Sequence, residues 1–220
     1  LGSKNVTGLI MPFNETDSVN LAKDHAEILD VNTTNINISE IVSSYKNSSS
    51  LFSEKLSEGN LHSRIRMSLL YGHGFSSNSL VIGTSNKSEL LIGYYTKWGD
   101  GGSDFLPIGD IYKSQVFELA KVLDVPMEII ERKPTAELWP GQTDEGDFGF
   151  TYSELDKILF ELERFSSISK ISQKTGISLN KIKKIRDLIK YSIHKRVFPP
   201  VCKIGLRTVG LDWRETIGTS

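Results

Sequence analysis

An α/β fold built on a parallel sheet is predicted by three features of this sequence. Strand-like and helix-like patterns alternate from the first residues onward. The stretch Gly83 to Asp104, GTSNKSELLIGYYTKWGDGGSD, follows the apolar run Leu80-Val81-Ile82 and reads strand, turn, helix, glycine-rich loop. A hydrophobic content of 38% over 220 residues is enough for one compact domain spanning residues 1–220, able to bury roughly 70% of its unfolded surface.

The alternation starts at Val6 to Met11, an apolar segment that Pro12 stops because proline cannot donate to a sheet ladder. Thr16-Asp17-Ser18 then supplies N-cap chemistry for a helix whose apolar positions Val19, Ala22, Ala26 and Leu29 recur at helical spacing. Val31 to Ile38 alternates imperfectly and reads as a second strand; Ser39-Glu40 opens a short helix, and Asn47 to Ser50 is a polar break. Strand, helix, strand, helix implies parallel strands joined by crossovers.

Gly59-Asn60 opens the next helix, LHSRIRMSLLYGHG from Leu61. Leu61, Ile65, Leu69 and His73 share one face, while Arg64 and Arg66 point elsewhere, either as solvated surface charge or as a bidentate clamp for an anion. After the strand Leu80 to Ile82, the Gly83-Thr84 turn precedes a short amphipathic segment, Glu89 to Tyr95. Backbone N–H groups and hydroxyls at such a helix start favour phosphate, so nucleotide chemistry is expected. The acidic loop Asp100 to Asp104 is not a calcium loop, because Phe105 takes the sixth position, where the sharp turn requires glycine. Gly101 and Gly102 permit close backbone approach to a ligand, or only a tight turn.

Leu138 to Asp147 is acidic, glycine-bearing and expected to be irregular, as a surface loop or a lid over the site. Helix resumes at Tyr152 to Phe165, with Leu155, Ile158, Leu159 and Leu162 as its apolar stripe. From Ser166 to Ile189 the order helix, Thr175-Gly176, helix resembles a helix-turn-helix, which offers a rival function in nucleic-acid binding. A net charge of −1 opposes that rival and requires any basic site to be local. His194, Lys195 and Arg196 cluster near the end of the helix Asn180 to Tyr191, before Pro199-Pro200. His194 alone reads as a C-terminal helix-dipole partner; with Lys195 and Arg196 beside it, the group reads as a phosphate- or ribose-facing cluster. Cys202 is the only cysteine, which excludes an internal disulfide and any multi-cysteine metal site. No apolar run approaches the roughly 20 residues of a membrane span and no secretory leader is visible, so a soluble, cytoplasmic protein is expected.

Five motifs in sequence order carry a resemblance. They are Gly59-Asn60 with Arg64 to Met67 and Leu70-Tyr71, Gly83 to Asp104, Pro107 to Gln115, Lys133 to Glu145, and His194 to Arg196 with Pro199-Pro200. Together they resemble the NAD synthetase family of ATP pyrophosphatases. The resemblance implies an adenine nucleotide α-hydrolase-like (Rossmann-like) fold, a parallel sheet with helices on both faces. It also implies ATP-dependent amidation of deamido-NAD through a deamido-NAD adenylate, with ammonia as nitrogen donor, Mg2+ as metal, and AMP and pyrophosphate as products.

Matching positions imply that Thr84, Lys113 and Thr135 contact ATP and that Glu89 is the Mg2+ ligand. Arg64, Lys97, Asp104, His194 and Lys195 are implied as deamido-NAD contacts. Positioning and electrostatics would carry the chemistry, with no side-chain nucleophile. The resemblance further implies a homodimer and no nucleic-acid or membrane partner. The apolar residues Ile65, Met67, Leu69, Leu70 and Tyr71 cover more than one face of their helix, which needs a second cover from a partner copy or from the same domain. Alternatives are another amidating ligase, such as a GMP synthetase core, and a non-catalytic degenerate paralogue. One departure stands out: no S-G-G-x-D-S-like pyrophosphate loop occurs in these residues. Further residues before Leu1, carrying that loop and its strand, are expected rather than degeneracy, because Thr84, Glu89, Lys113 and Thr135 persist together.

Overall fold

In the computed structural model, which describes residues 1–209, strand β1 (Thr7–Ile10) pairs in parallel with β2 (Asn32–Asn35), Thr7 opposite Asn32 and Ile10 opposite Asn35. Helix α1 (Asp17–Ile28) makes the crossover, as strand-helix-strand order requires. Backbone bonds from Ile36 to Ile10 and from Ile38 to Pro12, each 2.9 Å, extend the pairing past the proline. The α1 stripe is narrower than predicted: Val19 is buried, but Leu29 lies beyond the helix as its C-cap and is exposed.

Helices α2 (Ser39–Ser48) and α3 (Lys55–Ser77) follow, separated by a 3-10 turn at Ser50–Phe52. The long helix begins four residues before Gly59. Ile38, Val42, Leu61 and Ile65 form a first core at the α2–α3 junction, with Met11, Phe13, Phe52 and Leu69 packed around it. Arg64 is exposed, whereas Arg66 is half-buried and donates from Nε to the Met11 carbonyl at 2.9 Å, so surface charge does not describe it.

The remaining helices are α4 (Lys87–Ile92), α5 (Lys113–Val122), α6 (Met127–Ile130), α7 (Asp144–Phe148), α8 (Tyr152–Glu163), α9 (Ile168–Thr175), α10 (Leu179–Tyr191) and α11 (Ile193–Arg196). Their second, larger core joins Ile92, Phe148, Leu155, Ile158, Leu159, Ile171, Ile182 and Ile185. The α9–α10 pair therefore buries its apolar stripe against α8 rather than offering it to a partner.

The predicted strand Leu80 to Ile82 is reduced to one parallel bridge, Ile82 with Phe105. Val81 and Gly83 direct their backbone groups at Asp104 and Phe105, through bonds of 2.9 and 2.8 Å. Thr7, Gly8 and Leu9 of β1 and residues 81–84 line a shared slot of about 700 Å³. Met67 and Leu70 of α3 line that slot, so two of the residues that called for a second cover on this helix point there.

Candidate active site

The site is organised by the start of α4. Asn86 Oδ1 accepts from the Glu89 N–H, and Glu89 Oε2 accepts from the Asn86 N–H, both at 3.1 Å. This reciprocal box starts the helix at Lys87, two residues before the sequence expectation, and fixes the Glu89 carboxylate. Its other oxygen meets Lys113 Nζ at 2.9 Å. Lys113 is the first residue of α5, anchored by its backbone N–H on Ser88 Oγ at 2.9 Å. Its ammonium lies 5.2 Å from the Tyr152 ring centroid.

Two residues not singled out in the sequence complete this cluster. Tyr152, the first residue of α8, donates its hydroxyl to Asp144 Oδ2 at 2.7 Å and stands 3.4 Å from Glu89 Oε1. Asp144 is buried and its Oδ1 has no hydrogen-bond partner among the described residues. Burial raises the Asp144 pKa, against the opposing pull of the Tyr152 hydroxyl and the Lys113 charge. Burial also pushes the Tyr152 phenol far up, with the Glu89 and Asp144 carboxylates adding to the effect, so it keeps its proton and can donate to them.

Thr84, Glu89, Lys113, Thr135 and Asp144 line one cleft of about 550 Å³. Thr84 is exposed at the end of the bridged segment. Thr135 is tied to the cluster through Pro134, whose carbonyl accepts from the Asp144 N–H at 3.0 Å. The irregular loop predicted for Leu138 to Asp147 in fact contains α7, whose N-cap Thr143 accepts from Gly146 N at 3.2 Å. Gln142 Nε2 and Tyr94 Oη both donate to Asp147 Oδ2, at 2.8 and 2.7 Å, closing this segment over α4.

The cleft fits Mg2+ in a specific way. Among the described residues no group of three or more His, Cys, Asp or Glu side chains forms a metal cage. Glu89, whose Oε1 meets Lys113, and the partnerless oxygen of Asp144 would instead be the one or two carboxylates that Mg2+ takes when phosphate oxygens and water fill its remaining positions.

The residues implied for deamido-NAD divide into three groups. Arg64 Nη2 donates to the Lys97 carbonyl at 3.4 Å, and Lys97 Nζ lies 3.4 Å from His194 Nδ1, so these three converge at the surface. Exposed Trp98 lies under the Lys97 ammonium at 5.3 Å. Lys195 lines the 700 Å³ slot, but its ammonium is already bound to the carbonyls of Gly93 and Tyr95 at 2.7 and 2.6 Å. Asp104 is apart from both, accepting from Tyr71 Oη at 3.1 Å and from Val81 N at 2.8 Å. Within the glycine-rich loop a Cβ on Gly101 would lie 2.5 Å from the Tyr95 ring, while Gly99 and Gly102 line the slot.

The family model for NAD synthase matches residues 1–199. The chain belongs to the NAD synthase family. The NH(3)-dependent NAD(+) synthetase of Thermococcus kodakarensis is 47% identical over 200 residues, 90% of this chain and 79% of that protein. Among solved structures, the NMN synthetase from Francisella tularensis matches with a TM-score of 0.79 and 35% identity, over 89% of this chain and 78% of that one. The NH3-dependent NAD synthetase from Campylobacter jejuni, solved with nitrate, matches with a TM-score of 0.74 and 32% identity, over 90% and 78%. The fold is the Rossmann-like, parallel-sheet ATP pyrophosphatase fold of these NAD synthase relatives.

Proposed function

We propose that this member of the NAD synthase family amidates deamido-NAD with ammonia at the expense of ATP. One observation carries the reading: Thr84, Glu89, Lys113 and Thr135, drawn from four separate segments, line a single cleft. In this reading the nicotinate carboxylate attacks the α-phosphorus of ATP and pyrophosphate leaves. Ammonia then attacks the acyl carbon, the C–N bond forms, the bond to AMP breaks and nitrogen loses a proton.

Lys113 holds phosphate charge as a point cation, and Thr84 and Thr135 supply hydroxyls at its flanks. Glu89, with Asp144 beside it, would hold Mg2+. The ion would supply charge neutralisation on the phosphates. Arg64, Lys97 and His194 take the dinucleotide side, with Asp104 and Lys195 holding the loop between them. The test is direct. Incubation with ATP, Mg2+, ammonium and deamido-NAD should yield NAD, AMP and pyrophosphate in equal amounts, and Lys113→Ala should abolish all three. Pyrophosphate without NAD would refute the amidation.

The likeness to an NMN synthetase favours a second substrate, a mononucleotide in place of the dinucleotide. Comparing kcat/KM for the two substrates decides between them. We also propose that residues 1–220 act as one cytoplasmic domain. Among the described residues no helix is long and apolar enough to cross a membrane. A homodimer completes the proposal. Exposed Phe75 lies one helical turn from Tyr71, which bonds Asp104, beside the exposed Ile82–Phe105 bridge. Sedimentation of wild type and Phe75→Glu measures it; a wild-type monomer with full activity removes it.

A further inference from the structure

Helix α11 is a single turn, Ile193–Arg196, and a helix of that length has no stability of its own. Little apolar burial holds it: Ile193, Val197 and Phe198 are all exposed. Yet it carries His194, which meets Lys97 from the other side of the site. What fixes it is polar: Lys195 Nζ binds the Gly93 and Tyr95 carbonyls at 2.7 and 2.6 Å, and Arg196 alone joins the ends of two helices. Arg196 Nη1 donates to the Leu90 and Leu91 carbonyls at 3.0 and 2.6 Å and to Ser192 Oγ at 2.8 Å, while Nη2 donates to the Ile189 carbonyl at 2.6 Å.

Leu90 and Leu91 belong to the last turn of α4, and Ile189 to the last turn of α10. A single planar guanidinium thus joins two helix C-termini, where carbonyls lack intrahelical partners and the helix dipoles favour a cation. The two helix ends touch at their caps. Gly93 ends α4 in the left-handed region at φ 73°, and a Cβ there would lie 2.2 Å from Ser192 Cβ.

We infer that Arg196 is a positioning residue for the dinucleotide side of the site. It acts through α11 and the α4 terminus, without touching substrate, to set the His194–Lys97 spacing. The inference rests on the amidation reading above. An ammonium cannot reproduce this role, because lysine offers one charge centre and no planar fork to span both helix ends.

The experiment compares wild type, Arg196→Lys and Arg196→Gln in steady-state turnover and by NMR of the histidine rings, four in the whole chain. Both variants should raise KM for deamido-NAD roughly tenfold to a hundredfold, the scale expected for misplacement by about 1 Å. KM for ATP should stay within about twofold, a split that general loss of fold would not produce. The His194 ring signal should move in both variants without ligand. A His194 signal that stays in place, or an Arg196→Lys enzyme with wild-type KM for deamido-NAD, overturns the inference. Failure of the wild type itself to make NAD reports separately, on the amidation reading.

Discussion

Substituting Gly93 by alanine tests the seam between α4 and α10. Two costs combine. An L-residue in the left-handed conformation loses about 1–2 kcal/mol, and Gly93 has φ 73°. The added Cβ would lie 2.2 Å from Ser192 Cβ, whereas carbon atoms rest at about 3.5–4.0 Å, so the helix ends must part by more than an ångström. Overpacking of this kind costs about 1–3 kcal/mol. The total, about 2–5 kcal/mol, is a large share of the roughly 5–15 kcal/mol that holds a domain folded. At about 2–4 °C per kcal/mol for a chain of this size, the thermal midpoint of the core that holds α4 and α10 should fall by about 4–20 °C.

The double variant with Ser192→Gly separates the two costs, because deleting the opposing Cβ relieves the clash and leaves the φ strain. A double-mutant cycle on urea midpoints, or on hydrogen exchange at α10 amides, should show a favourable coupling of about 1–3 kcal/mol. The cycle cancels the loss of the Ser192 hydroxyl bonds, which both Ser192 variants share. A Gly93→Ala cost below about 1 kcal/mol, or additivity in the double variant, would refute the argument.

Three further outcomes are expected. Glu89→Gln keeps an oxygen to cap α4 but loses the charge facing Lys113, so it should weaken Mg2+-dependent ATP use and leave deamido-NAD affinity nearly intact; equal loss of both would make Glu89 structural. His62 stacks on Phe13 with both ring nitrogens buried and unpartnered. Burial foremost, then the Arg66 charge, lowers its pKa below 6.5; the Glu58 carboxylate opposes this and Lys46 adds the least. The unfolded chain therefore takes up the proton first, so stability should be complete above about pH 6.5 and fall as pH drops through the folded pKa. His62→Leu should remove that slope in urea titrations at pH 7.5 and 5.5, and a Leu variant that keeps it would contradict the assignment. Asp144 has a raised pKa, so its ionised form costs stability at neutral pH. Asp144→Asn should raise the thermal midpoint by a few degrees, at about 2–4 °C per kcal/mol, while depressing ATP turnover; a lowered midpoint would mean that the carboxylate is structural.

Strong periodicity made α8 and α10 legible from sequence, since Leu155, Ile158 and Leu159, and Ile182 and Ile185, all fall on buried stripes. The helix-turn-helix order was legible too, but not that its apolar faces serve the core. Boundaries went astray where a side chain sets them: Asn86 starts α4 early through a capping box that periodicity does not report. Helix α5 was not predicted, although Val116, Leu119 and Ala120 recur at helical spacing; none of its residues is fully buried. The five residues of α7 are too few to show a period. At the site, Thr84, Glu89, Lys113 and Thr135 were readable through the family resemblance, and the structure brings them to one cleft. Asp144, Tyr152 and Arg196 were not, because burial and distant carbonyls define their roles, and those exist only once the chain has folded.

The slot between β1 and residues 81–84 also divides the interior. On one side lies the small core of Ile38, Val42, Leu61 and Ile65, and on the other the larger core of α4 and α8–α10. The long helix α3 and the segment around Leu138 and Trp139 span the gap. Two hydrophobic cores with a groove between them need not melt together, and each is a candidate cooperative unit. Denaturation of this chain should then proceed in two steps, with amides of β1, β2 and α2 exchanging with solvent well before those of α8 and α10.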